Sequence, residues 1–253
     1  MRCCVRLAVG ERLRLNMKII LSLAVLTALV ALEQSTTCRA AGEEGVALAI
    51  IYDTSGSMHD AVRDGSGHSS PKYIIANRAL TAVAKQIQAF ASSTAGPAPR
   101  KVEAGLFVFS GDTAREAVKF GPLDAAALEQ FARTFSTPSG NTPLGNALSV
   151  AAQKVMSSPL SHKHVLIITD GMNTAGPTPA AIMPKLKQQA EGKQTTVSVH
   201  FVAFDVDAKV FDPVKKLGAT VVGASDEKQL NTQLEYILQR KILLEEEEPV
   251  KKK

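Results

Sequence analysis

One carboxylate and two hydroxyls fall within five residues at Asp53-Thr54-Ser55-Gly56-Ser57. Three hard oxygen donors held by one tight D-x-S-x-S turn suit a hard divalent cation such as Mg²⁺. The turn follows Val46 to Tyr52, an apolar run that predicts a strand buried on both faces, as in parallel sheets. In open α/β sheets, ligands collect just beyond the carboxyl ends of such strands. Asp, Ser and Gly are also ordinary turn residues, so the pattern taken alone is equally a strand-to-helix turn.

Two further fragments bear on that choice. Ser139-Gly140-Asn141-Thr142-Pro143-Leu144 leads into apolar residues at Leu144, Ala147, Leu148, Ala151 and Val155. That spacing predicts a helix with Pro143 at its first position and the Thr142 hydroxyl as its cap. Val165-Leu166-Ile167-Ile168-Thr169-Asp170-Gly171 is a second apolar strand ending in an aspartate. Asp170 therefore lands on the same sheet edge as Asp53, unless Asp170-Gly171 is merely a turn.

Together these fragments resemble the von Willebrand factor type A domain with its metal-ion-dependent adhesion site. That family carries D-x-S-x-S after the first strand, a threonine in a later loop and an aspartate after the next long strand. Asp53, Ser55, Ser57, Thr142 and Asp170 fill those five positions with the expected types, order and separation. The Val197–Phe204 and Leu217–Val222 segments look like the family's last two strands, and the resemblance covers most of residues 45 to 243. It implies that Ser55, Ser57 and Thr142 coordinate a divalent cation directly, while Asp53 and Asp170 act largely through water. Mg²⁺ is the expected ion, with Mn²⁺ and Ca²⁺ as alternatives. A cation facing few directly bound protein charges stays electrophilic and takes an acidic group of a protein partner as its last ligand. Gly56, between the two serines, is expected to let the turn tighten without a Cβ clash.

The elements that must position these residues alternate between strand and helix, which predicts one α/β domain with a mostly parallel central sheet and helices on both faces. Tyr73, Ala76, Leu80, Val83, Ala84, Ile87 and Phe90 have helical spacing, starting a helix near Lys72. Ser92 to Pro99 reads as a loop, Leu106 to Phe109 as a strand core and Val118 to Phe120 as a short antiparallel edge strand. Asp124 to Phe135 and Pro179 to Ala190 read as helices, and Leu230, Leu234, Ile237 and Leu238 stripe the last one. His59 to Pro71, rich in Gly, Ser and polar residues, is expected to be a loop at the site's rim that selects the partner. His162, His164 and His200 are expected to be satisfied structural histidines.

The first 40 residues read as a leader. Lys18 precedes an uncharged run from Ile19 to Leu32, the form of a signal peptide. As a helix the run spans about 21 Å, short of a hydrocarbon core of roughly 30 Å. Cleavage is expected near Ala40, and Met17 is an alternative start. A retained anchor facing the periplasm is the competing reading. The domain is expected over residues 41–244, followed by a charged tail at 245–253. Of 29 basic and 24 acidic residues, six and two fall within the first 40, which leaves 23 and 22, a net charge of +1. The basic balance belongs to the leader and gives no support to nucleic-acid binding. Cys3, Cys4 and Cys38 are also confined there, so the remainder needs no disulfide framework. An exported bacterial protein, periplasmic or secreted, accounts for this set.

Enzyme chemistry finds little footing. A phosphoryl-accepting aspartate usually has a second carboxylate two residues on, where this chain has Ser55. G-x-S-x-G, H-E-x-x-H and the phosphate-cradling G-x-x-x-x-G-K-[ST] loop are all absent from the sequence. A metal-assisted hydrolase is therefore the minor reading. The expected function is an adhesion or interaction module, with an envelope-assembly scaffold using the same site as its alternative.

Overall fold

Continuous burial along the first strand sets the architecture. The computed structural model describes residues 42–93 and 100–243. The expected leader and the tail at 245–253 lie outside the described residues. Strand β1 (Glu43–Tyr52) is fully buried from Ala47 onward. Leu48, Ile50 and Tyr52 point into one core layer, and Ala47, Ala49 and Ile51 into the other. A strand with both faces apolar can only be satisfied at the centre of a sheet covered on both sides.

After β1 come a short 3₁₀ turn (Gly56–His59), a small antiparallel hairpin of β2 (Ala61–Arg63) and β3 (Ser69–Pro71), and helix α1 (Lys72–Ala91). The antiparallel pair β4 (Val102–Ser110) and β5 (Thr113–Pro122) leads to α2 (Ala125–Thr134) and α3 (Leu144–Ser157). Then follow β6 (Leu160–Thr169), α4 (Pro179–Gly192), β7 (Ser198–Phe204), α5 (Asp212–Lys216), β8 (Thr220–Ala224) and α6 (Glu227–Ile237). The main sheet has the order β5-β4-β1-β6-β7-β8, and every pairing except β4–β5 is parallel. Helices α1, α2 and α6 cover the Leu48 face, and α3, α4 and α5 the Ala47 face.

Two expectations change. The edge strand is ten residues long, not a short Val118–Phe120 segment. Its signal was diluted by charged residues facing solvent at an edge, and its turn is a two-residue Gly111-Asp112 loop with Gly111 at φ +57°, as tight hairpins require. The expected rim loop at 59–71 is folded into the β2–β3 hairpin. Asp64 ties its tip by accepting from the backbone N–H groups of Ser66 and His68 and the hydroxyls of Ser66 and Ser70.

Strand order places the site. Successive connections leave β1 toward β4 on one side and return to β6 on the other, so the crevice where order reverses lies over β1 and β6. The Asp53 N–H donates to the Ile168 carbonyl at 3.0 Å, carrying the β1–β6 ladder one step past the strands and holding both exits in register.

Candidate functional site

Three loops converge at the carboxyl edge, tied to one another through their backbones. The Ser139 N–H donates to the Thr54 carbonyl at 2.8 Å, and the Gly56 N–H donates to the Gly140 carbonyl at 3.2 Å. These bonds zip the D-x-S-x-S turn to the loop before α3. Thr142 is clasped in turn by Thr174: its N–H donates to the Thr174 hydroxyl at 2.8 Å, and its carbonyl accepts from the Thr174 N–H at 3.0 Å. Thr54 also accepts from the Phe109 N–H at 3.2 Å, fixing the turn to the end of β4.

Within this frame Asp53 is fully buried. One oxygen accepts from the Ser55 N–H at 2.8 Å and the Ser55 hydroxyl at 2.5 Å, and the other from the Thr169 hydroxyl at 2.6 Å. The Ser57 hydroxyl is 2.9 Å from Asp170 Oδ1, and the two serine oxygens are 3.1 Å apart. A Cβ placed on Gly171 would sit 3.9 Å from both the Ser57 and Thr142 hydroxyl oxygens, so Thr142 flanks the same cluster. All five residues singled out in the sequence thus meet at one place.

Their electrostatics differ. Burial first, and the neighbouring Asp170 charge second, push Asp53 up from 3.8 to about 6, against hydrogen bonds from Ser55 and Thr169 that pull it down. Asp170 instead faces a cation supplied by the chain. Lys72 Nζ lies 3.1 Å from Asp170 Oδ2 and 3.0 Å from Asp205 Oδ2, with Asp60 farther off at 4.0 Å. Burial pulls the Lys72 ammonium down, but the Asp205 and Asp170 carboxylates outweigh it and hold the group above its ordinary range.

Two local readings need correction. Thr142 does not cap α3: Pro143 occupies the cap position, with no side-chain cap bond. Asn173 from the β6 exit accepts from the Gly145 N–H at 3.1 Å instead, which satisfies an open helix-start donor from outside the helix. The approach is so close that a Cβ at Gly145 would lie 2.0 Å from the Pro177 carbonyl oxygen. Gly56 is not sterically required either, because its Cβ would meet only the Gly140 oxygen at 3.9 Å.

Sequence reasoning missed Thr169, Lys72 and Asp205. Thr169 carried a signal as a lone hydroxyl at the end of an apolar strand. Asp205 follows the same rule as Asp53 and Asp170, since it ends the apolar strand β7 on the carboxyl edge. Lys72 stands in the first turn of a helix, where the dipole disfavours a cation. That mismatch is readable and signals a compensating carboxylate. Of the histidines, His164 and His200 are buried and stacked, with Nδ1 and Nε2 3.2 Å apart. Burial lowers them to about 3 and about 4, so both are neutral. His200 Nδ1 has no hydrogen-bond partner among the described residues, so this histidine is only half satisfied.

The donor set is all oxygen, as a hard cation requires. Among the described residues, no group of three His, Cys, Asp or Glu side chains offers a rival site. No helix among them is long and apolar enough to cross a membrane.

Solved structures similar to this one share its fold. The D319A mutant of the PilB minor pilin from Streptococcus sanguinis superposes with a TM-score of 0.57 at 16% identity, over 78% of this chain and 61% of that one. The vWF domain of the type V pili tip protein Mfa5 from Porphyromonas gingivalis gives 0.55 at 14% identity, over 78% and 95%. Proximal thread matrix protein 1 from the mussel byssus, with a zinc-occupied MIDAS motif, gives 0.55 at 15% identity, over 78% and 48%. The chain therefore spans about three fifths of the pilin structure and about half of the byssus protein. No curated protein matches it. The family model for the von Willebrand factor type A domain matches residues 47–232, and the chain belongs to that family.

Proposed function

We propose that this chain is a metal-dependent protein-binding module. In this reading Ser55, Ser57 and Thr142 hold a divalent cation, Mg²⁺ first among the candidates, with Asp53 and Asp170 as outer carboxylates. An Asp or Glu carboxylate of a protein partner completes the coordination. The bound ion supplies an electrophilic point that an anionic side chain can reach.

The observation that carries the reading is the convergence of two serine hydroxyl oxygens, each held against a buried carboxylate. The Ser55 hydroxyl lies against Asp53 and the Ser57 hydroxyl against Asp170, and the two hydroxyl oxygens stand 3.1 Å apart. A hydroxyl that donates to a carboxylate becomes a stronger acceptor through its remaining lone pairs. Two such oxygens side by side are a cation ligand pair. Neighbouring ligands of an octahedral ion bound at about 2.1 Å stand roughly 3 Å apart, a spacing this oxygen pair matches. Mg²⁺ is therefore the leading candidate, with Mn²⁺ and Ca²⁺ as the alternatives. Both serine hydroxyls are engaged by aspartates rather than by an imidazole or amine base, which supports binding over catalysis.

We place this module outside the cytoplasm, exported by its leader to the periplasm or beyond and acting in adhesion or a related interaction. Likeness in fold to a minor pilin and to a pilus tip domain accords with that setting. The experiment is affinity capture on the immobilised protein from envelope extracts, in Mg²⁺ and in excess chelator, with Thr142→Ala as control. Partners should be retained in Mg²⁺ and lost in chelator and on the variant. Partners that stay bound in chelator would overturn the reading.

A further inference from the structure

The Lys72 ammonium lies within hydrogen-bond distance of two carboxylates on the exits of two different strands, Asp170 after β6 and Asp205 after β7. The lysine side chain is 7% exposed, Asp170 is fully buried and Asp205 is 38% exposed. Asp205 is also one of two non-glycine residues, among those described, held at positive φ, at +54°. Aspartate and asparagine tolerate that region better than most residues.

The position of Lys72 is built from below. Tyr52, the last residue of β1, donates its hydroxyl to Asn77 Oδ1 at 2.7 Å on α1, and Asn77 Nδ2 donates to the Phe135 carbonyl at 2.8 Å. The Lys72 N–H donates to the Asp60 carbonyl at 2.9 Å. The first two turns of α1 are thereby tied to β1 and to the turn beside Ser57, which fixes where the Lys72 side chain starts.

We propose that Lys72 is a resident competitor for the divalent cation, and that Asp205, by sharing its ammonium, sets how much of the Asp170 charge remains for the metal. This rests on the metal-binding reading above. Asp170 Oδ1 accepts from Ser57 on the cation side, while Oδ2 is held by Lys72 behind. An ammonium bound only to Asp170 would neutralise it and weaken attraction for the metal. An ammonium drawn toward Asp205 releases that charge. Asp205 therefore tunes affinity for the ion without touching it, and the β7 exit is coupled to the site through a single lysine.

The test is calorimetric titration of the full chain with Mg²⁺ alone, for wild type, Lys72→Met, Asp205→Asn and Asp60→Asn. Removing a cation a few ångströms behind an outer carboxylate of the site should tighten Mg²⁺ about tenfold in Lys72→Met. Asp205→Asn should loosen it roughly threefold, the opposite sign. Asp60→Asn deletes an exposed charge 4.0 Å from the ammonium and should change affinity by less than about twofold. A purely structural role for Lys72 would not produce opposed shifts. If Lys72→Met does not fold, Asp205→Asn against Asp60→Asn decides. Equal loosening in those two variants, or unchanged affinity in Asp205→Asn, would overturn the inference while leaving the metal site intact. Absence of Mg²⁺ binding by wild type would overturn the site reading and this inference with it.

Discussion

Asp53 and Asp170 end neighbouring parallel strands one register step apart, yet the fold treats them in opposite ways. Asp53 is surrounded by neutral donors, namely the Ser55 N–H and hydroxyl and the Thr169 hydroxyl. Asp170 receives the Ser57 hydroxyl on one oxygen and a buried ammonium on the other. Hydrogen bonds soften the cost of burying a charge but leave its sign uncompensated, whereas an ion pair compensates it directly. In the absence of a metal, Asp53 is the costly carboxylate and Asp170 the stabilised one. One site thus holds a carboxylate that gains from a divalent ion and another already matched to a fixed cation.

The sharpest way to break that contrast is to neutralise each side chain separately in chelator. Asp170→Asn leaves a buried ammonium with the more exposed Asp205 and Asp60, and removing the buried partner of such a pair costs on the order of 3 kcal/mol. In a domain of this size that lowers the melting temperature by roughly 6–12 °C. Asp53→Asn keeps one acceptor oxygen, and the Thr169 hydroxyl can turn to accept from the new amide, so its cost should stay within about 1 kcal/mol. Urea unfolding of both variants checks the pair. Equal losses would mean that the two aspartates are not differently held.

pH sharpens the same comparison. Asp53 is raised from 3.8 to about 6, by burial first and by Asp170 second. For a folded value above the unfolded one, the native state binds more protons between the two. The associated stability is therefore present below about pH 4 and is lost as pH rises through about 6. Without metal, wild type should fall relative to Asp53→Asn by about 1–3 kcal/mol between pH 4 and pH 7. Saturating Mg²⁺ should flatten the difference, because a cation replaces the proton. Paired melting curves at the two pH values measure it, and a constant difference would contradict the assignment.

The smallest effect on folding belongs to Thr142→Ala. Thr142 caps no helix and is clasped through its backbone, so the variant should unfold within about 0.5 kcal/mol of wild type. Its loss should appear in Mg²⁺ binding instead. A stability loss above 1 kcal/mol would show the hydroxyl to be structural.

Much of this arrangement was legible in the sequence, because it is local. Apolar runs ending in aspartate placed Asp53 and Asp170 on one sheet edge, and their spacing with Ser55, Ser57 and Thr142 carried the family resemblance. What escaped depends on contacts between distant segments. Lys72 marks only a helix start in the sequence, because its partner Asp170 lies 98 positions away. The capping of α3 was misread because Asn173, 28 positions downstream of Gly145, supplies what Thr142 was expected to supply. The ten-residue edge strand was underestimated because half-exposed strands carry charges that periodicity discounts. Asp205 obeyed the rule applied to the other two aspartates and was overlooked only because no resemblance pointed to it.

Calorimetric melting of the protein with Mg²⁺ and with chelator, repeated for Asp53→Ala, tests most directly whether a divalent ion sits on the Asp53 side of this cluster. Mg²⁺ at about one hundred times its dissociation constant stabilises by roughly 2.7 kcal/mol, or roughly 5–10 °C at this size. The predicted result is that upward shift in wild type and its near-complete loss in Asp53→Ala, whose metal-free form melts no lower than about 3 °C below metal-free wild type. Equal Mg²⁺ shifts in both proteins, or none in wild type, would contradict a cation held by Asp53, Ser55, Ser57, Thr142 and Asp170.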